Sequence, residues 1–271
     1  RIAQVLSRTP KASIEDMQRL QNDVVSLNAQ RLVALLKPLS SRDPKKQAAL
    51  SLLKGWNGEE GAASSAAALY EVWWSRHLGR GLLQAVLAPQ EARLVDAPHA
   101  SVLLQTLEHP SPRFGANATA KRDALLLASL GAAWTDMERL QGPDGRRWEW
   151  GKTQFSYFLH PMTPILDNAS RALLNVGPFP RGGGAYTVNV SGYRPENFWH
   201  AHGPSFRMVL DVGNWDNSRA INTPGQSGNP ASRHYRDLAA SWSDGKYFPL
   251  LYSRAAVEKA TKETIELVPA E

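Results

Sequence analysis

The chain of 271 residues contains no cysteine. That excludes disulfides, thiolate catalysis and cysteine-based metal sites, and leaves the compartment open. No apolar run approaches the roughly 18 residues that a membrane-spanning helix needs. A basic stripe interleaved with aromatics is also missing. The formal net charge is +6, yet the densest basic runs, Arg42–Lys46 and Arg146–Arg147, are short. This describes a mildly basic surface, and nucleic acid is not an expected partner. There is no initiator Met, no signal peptide, no internal repeat and no low-complexity tract. The opening RIAQVLSRTPKAS places Ile2, Val5 and Leu6 at helical spacing. A chain that begins inside a helix reads as a piece of something longer.

What is present suits a packed core: 42% hydrophobic residues, 21% charged, nine Trp, seven Tyr and seven Phe. The first part, residues 1–142, reads as mainly helical. Ser13 with Asp16 marks a helix start, and apolar residues from Met17 to Leu36 recur every three to five positions until Pro38. Further helices are expected over 47–54, after a cap at Ser64 or Ser65, over 99–108 and over 121–140. Residues 143–271 read as mixed α/β. In GGGAYTVNVSGY (182–193) Tyr186, Val188 and Val190 alternate with Thr187 and Asn189. In SFRMVLDVG (205–213) Phe206, Met208 and Leu210 alternate in the same way. These predict a pair of strands with buried apolar faces, with short helices over 230–242 and 254–262 and an edge strand over 264–271. The fold class expected is α+β, as one structural unit.

Several motifs could carry chemistry, and each has a plainer reading. His200 and His202 have the spacing of two metal ligands but lack a third. Asp211, Asp216 and Asn217 lack the oxygen-ligand loop of a calcium site and fit a turn held by side-chain hydrogen bonds. Ser227 in TPGQSG is followed two residues later by Asn229, so it is not the G-x-S-x-G nucleophile elbow, and Pro-Gly marks a turn. His160 has no assigned acid or nucleophile. The residues themselves spell out no catalytic triad.

Taken in order, several segments resemble the penicillin amidase family. LLKGWNG followed by AAALYEVWW resembles its W-D-G … A-A-x-L-Y/F-x-x-W segment, with Asn57 where Asp is usual. RDALLLASL and RRWEWGK resemble a later helix and a W-x-W-G element. The His160–Pro161 pair, GPFPRGGGAYTVNVSGY, HGPSFRMVLDV and NSRAINTPGQSGNPASRHYRDL look like its C-terminal signature. The resemblance covers some 250 residues.

The resemblance implies the αββα sandwich of an N-terminal nucleophile hydrolase, built from an α chain and a β chain, with this chain as the C-terminal segment of the β chain. It implies an amide hydrolase acting on acyl-homoserine lactones or on β-lactams such as penicillin, with the PFPRGGG … TVNVSGY form closer to the lactone acylases. It also implies export to the periplasm, and partners in the α chain and the N-terminal part of the β chain. In such enzymes an N-terminal Ser is freed by autoproteolysis. This chain begins with Arg1 and aligns just downstream of the catalytic Asn and Arg elements. No catalytic residue is therefore carried over, and the chain alone is expected to be inactive. Asn189, Asn217, Ser218, Arg219, Gly225, Gln226, Ser227, Gly228 and His234 are signature residues read as structural. No cofactor is expected in this chain, and the structural calcium that family members often carry is expected elsewhere in the enzyme. The rival reading is a non-catalytic scaffold or binding module of the same fold.

Overall fold

The computed structural model describes residues 1–269. Its helices, in chain order, are α1 (Ile2–Leu6), α2 (Ile14–Gln21), α3 (Leu27–Leu36), α4 (Pro44–Lys54), α5 (Ser65–Val72), α6 (Gly79–Val86), α7 (Pro89–Ala92), α8 (Ala100–Glu108) and α9 (Ala118–Gln141). After them come α10 (Trp150–Thr153), α11 (Asn168–Leu174), α12 (Ala239–Ser243) and α13 (Arg254–Ala260). A π-helical turn, Trp73–Leu78, links α5 to α6. The chain divides into two compact units, and each draws on both halves of the sequence.

The first unit comprises residues 1–4, 23–159 and 177–203. Its helices start where the side-chain chemistry dictates. The N-caps Ser26, Asp43, Ser64 and Asn117 each accept a backbone N–H of the first turn of α3, α4, α5 and α9, which removes orphan donors at the helix ends. On α9, Leu126, Leu130, Ala133, Trp134 and Met137 repeat every three to four residues and form one buried stripe. That stripe packs with the apolar faces of α3, α4, α5 and α8 into a single core. Trp73, Trp148 and Trp150 are fully enclosed there. Their indole N–H groups donate to Ser129 Oγ (2.9 Å), Gly142 O (2.8 Å) and Gly183 O (2.9 Å), so burial leaves none of the three unsatisfied. The strands of this unit are short: β1 (Phe155–Phe158) pairs with β2 (Val176–Pro180), and β3 (Gly192–Tyr193) pairs antiparallel with β4 (His200–His202).

The second unit comprises residues 5–22, 160–176 and, among the described residues, 204–269. Its centre is an antiparallel sheet of β5 (Arg207–Val209), β6 (Arg219–Ile221) and β7 (Phe248–Pro249). Across it Met208 faces Ala220, which faces Phe248.

Several expectations fail. The helix read through 13–36 is two helices. Asn22 closes α2 by donating its N–H to Gln18 O and Arg19 O, and Ser26 starts α3 as a new cap. Residues 186–190 are not a strand. Thr187 Oγ1 donates within the loop to Asn189 O (2.9 Å), and the Asn189 N–H goes to Asp23 O (2.9 Å), so these groups are not available to a strand ladder. The alternation itself is inverted in both segments. Thr187 and Asn189 are buried while Tyr186 is 52% exposed, and Arg207 and Val209 are buried while Phe206 and Met208 are 51% and 37% exposed. Arg207 turns inward because its guanidinium lies 5.2 Å from the Trp242 ring and donates to Trp242 O (3.2 Å). Consequently Phe206–Leu210 pairs with β6 rather than with 186–190. In 230–242 only α12 and a 3-10 turn at Arg233–Tyr235 form. Residues 264–269 form no strand, and the rest of that expected edge strand lies outside the described residues.

Candidate functional site

The most unusual chemistry in the chain is a pair of buried carboxylates in the first unit. Glu71 sits on α5, where every residue from Ala66 to Val72 is buried. Glu60 lies in the turn before that helix, its N–H bonded to Val24 O (2.9 Å) and its carbonyl accepting the Gly183 N–H (2.7 Å). The two side chains are 1% and 4% exposed, and among the described residues neither forms an ion pair with Lys, Arg or His. The glycine-rich stretch 182–184 runs directly over them. A Cβ on Gly184 would stand 2.4 Å from Glu71 Oε1 and 2.9 Å from Glu60 Oε2, closer than packed atoms allow. Only glycine fits at that position.

Two uncompensated charges cannot share a dry site, so the site resolves them with a proton. Burial drives the Glu60 carboxyl well above its usual range, and the Glu71 charge adds to the effect. Burial also raises Glu71, to about 7, against the pull of hydrogen bonds from Tyr193 and Glu60. The Tyr193 hydroxyl donates to Glu71 Oε2, and burial beside the Glu71 charge holds that phenol well above its ordinary range. Glu60 Oε2 is fully enclosed and has no hydrogen-bond partner. A proton on Glu60 directed at Glu71 satisfies both groups, and the titration belongs to the pair. The arrangement can store a proton but has no exposed nucleophile beside it. Sequence reading passed over Glu60, Glu71 and Tyr193. The available signal was an acid at position 71 inside the wholly apolar run ALYEVWW.

The signature residues fall into three places. Asn189 is buried in the first unit, where its Oδ1 accepts from Arg181 (3.2 Å), which also donates to Ser191 Oγ (3.2 Å). In the second unit Asn217, Ser218 and Arg219 form one cluster around Asp211. The Asn217 amide donates to Asp211 Oδ2 (3.0 Å), Ser218 Oγ accepts the Asp211 N–H (3.1 Å), and Arg219 donates to Asn217 O (2.7 Å). The Asn217 hydrogen bond, with the N–H groups of Asn214 and Gly213, holds Asp211 below its usual range. Asp216 is lowered in the same way by Ser253 and Tyr252.

Gly225, Gln226, Ser227, Gly228 and His234 form a separate loop. The N–H groups of Gln226 and Ser227 both donate to His234 O, at 2.9 and 3.0 Å. A Cβ on Gly225 would come within 2.3 Å of that carbonyl. Ser227 Oγ accepts the Asn229 N–H (3.1 Å). His234 uses both ring nitrogens, Nδ1 toward Asp237 (2.7 Å) and Nε2 as acceptor from Arg233 (3.0 Å). With Nε2 taken, that imidazole has no lone pair to offer Ser227, and the three groups do not constitute a triad. His200 Nδ1 contacts Ser156 Oγ (3.0 Å), and His160 Nδ1 accepts the Met162 N–H (3.2 Å). Among the described residues no group of three or more His, Asp or Glu side chains gathers as metal ligands would.

The fold matches that of a solved thermostable penicillin G acylase from Alcaligenes faecalis, with a TM-score of 0.53 and 16% identity, over 98% of this chain and 52% of that one. The likeness is one of fold, and it accords with the α+β class and the N-terminal nucleophile hydrolase architecture implied by the sequence. The penicillin amidase family model matches residues 1–259. The chain belongs to the penicillin amidase family. It is 34% identical to penicillin acylase 2 proenzyme of a Pseudomonas species, over 100% of this chain and 35% of that protein. It is 29% identical to the acyl-homoserine lactone acylase QuiP of Pseudomonas aeruginosa, over 91% of this chain and 33% of that protein. The chain thus spans about a third of the length of the curated relatives it matches. No helix among the described residues is long and apolar enough to cross a membrane.

Proposed function

We propose that this chain is the C-terminal β-chain segment of an acylase that removes the acyl group from acyl-homoserine lactones, β-lactams such as penicillin, or both. The observation that carries this reading is the outward apolar face of the second unit. Phe206, Met208, Leu210 and Phe248 are all exposed along one side of the β5–β6–β7 sheet, which suits burial against further polypeptide. The companions are the α chain and the N-terminal part of the β chain. Ser227 and His234, the signature side chains that could act as nucleophile and base, are engaged in local hydrogen bonds, which supports a nucleophile on a companion.

In that assembly an N-terminal Ser hydroxyl attacks the amide carbonyl carbon. Its own α-amino group accepts the proton and passes it to the leaving amine, so the C–N bond breaks as the acyl-enzyme ester forms. A backbone N–H and an Asn side chain stabilise the oxyanion. Water then cleaves the ester, releasing the acid and restoring the Ser. The role of this chain is to complete the scaffold, with any structural calcium held by its companions. The relatives are bacterial, and the proposal includes export of the enzyme to the periplasm.

The test is N-terminal and intact-mass analysis of every polypeptide in the purified sample, paired with hydrolysis assays on acyl-homoserine lactones and penicillin G. A Ser-initiated companion with acylase activity supports the proposal. A companion-free or inactive assembly supports the non-catalytic scaffold instead.

A further inference from the structure

Near the end of α9, within the first unit, lies a cavity of about 650 Å³ whose lining side chains have no role above. One wall is Trp199, 38% exposed, with Phe155 and Tyr157 beside it at ring separations of 5.6 and 6.2 Å. Its position depends on the residue before it. Phe198 adopts φ +61, a conformation that bulky residues rarely accept. The strain persists because the Phe198 ring is locked in the core, under the Arg76 guanidinium at 4.3 Å and against Trp150 and Tyr193. With Phe198 turned in, the next side chain is turned out over the cavity. Strained backbone of this kind concentrates at ligand-binding sites.

The polar lining is rich in donors. Gln141 is fully used, accepting the Glu149 N–H (2.9 Å) and donating to Glu149 O (2.8 Å) and Thr153 Oγ1 (2.6 Å). Because Thr153 Oγ1 accepts there, its hydroxyl proton is left for something else. Asn197 Oδ1 accepts the Trp199 N–H (2.9 Å), and its NH2 group remains to donate. The Arg147 guanidinium is exposed and makes no hydrogen bond to the described residues. Lys152 brings a second cation, paired with Glu149 (2.6 Å). The one acid in the lining, Asp144, accepts the N–H and Nε of Arg146 at Oδ1, at 3.1 and 3.3 Å, and offsets one of the two lining cations, which leaves the lining net positive.

An aromatic wall facing an excess of donors and positive charge selects a flat apolar body with an anionic head. We infer that this cavity binds a small aromatic carboxylate, its ring stacked against Trp199 and its carboxylate held by Arg147 and the Thr153 hydroxyl. Arg147 supplies the paired N–H groups that match a carboxylate, and a neutral analogue loses that contact.

The experiment is titration calorimetry of the purified protein, with whatever companion polypeptides it carries, using 2-naphthoate and the neutral 2-naphthylmethanol as probes. The expected result is saturable 1:1 binding of naphthoate, with the alcohol at least about tenfold weaker. Arg147→Met should weaken naphthoate about tenfold and leave the alcohol unchanged. Trp199→Ala should weaken both. Both side chains are exposed, and unchanged melting of each variant verifies that the fold is intact. No saturable binding, equal affinity for acid and alcohol, or an Arg147→Met variant with wild-type affinity would each overturn the inference.

Discussion

Replacing Glu71 by Gln should reduce the pH dependence of stability, leaving the slope that the buried Glu60 carboxyl contributes. Glu71 titrates at about 7 in the folded chain, against 4.5 ordinarily, because burial penalises its charged form. The folded state therefore holds this proton more tightly than the unfolded state, and its contribution to stability is complete below about pH 4.5. Between there and about pH 7 the unfolded chain releases the proton first, and stability falls as pH rises. At about 1.36 kcal/mol per pH unit, the interval of 7 − 4.5 = 2.5 amounts to roughly 3 kcal/mol. Gln is neutral throughout, and its carbonyl can still accept from the Tyr193 hydroxyl. Urea unfolding of both proteins from pH 4.5 to 8 should show wild type losing stability that the variant keeps, with the two converging at the acidic end. Parallel pH profiles for the two proteins would refute the reasoning, since a freely ionised, solvated Glu71 gives no such slope.

The same site and its neighbours supply further expectations. Gly184→Ala drives a methyl group against Glu71 Oε1, and thermal unfolding should show a loss of about 1–3 kcal/mol. Tyr193→Phe removes the hydroxyl that donates to Glu71 and should move the Glu71 titration still higher, detectable by NMR of the carboxyl carbon. Met208→Asp charges the exposed face of the β5–β6–β7 sheet; size-exclusion chromatography should find the chain folded but released from its companions. Ser227→Ala should leave acylase activity of the assembly within about twofold, as expected for a surface substitution away from a functional group.

Helices were largely legible because capping residues and apolar spacing are local signals. Ser64 and the apolar stripe of α9 are where the sequence puts them. The glycine-rich and Asn/Ser/Arg-rich segments were harder to read, because their backbone bonds are satisfied by side chains distant in sequence or by local turns. Alternation at 186–190 and 206–210 was real, but its inward face could not be read from pattern alone. Apolar side chains go inward only where the interior is of the same chain, and here Arg207 and Asn189 occupy that side. The buried carboxylates escaped notice for a related reason. A lone acid in an apolar helix gains meaning only when the fold brings a second acid, a phenol and a glycine loop against it. Family membership, by contrast, was legible from several short segments in order.

Among all these expectations, the location of the nucleophile bears most directly on the reading of this chain as scaffold. The measurement is covalent labelling of the active assembly with phenylmethylsulfonyl fluoride, followed by peptide mass mapping of every polypeptide. The account predicts activity lost in step with sulfonylation of an N-terminal Ser on a companion polypeptide, with this chain unmodified. Stoichiometric label on a serine of this chain, such as Ser227, accompanied by loss of activity would contradict it.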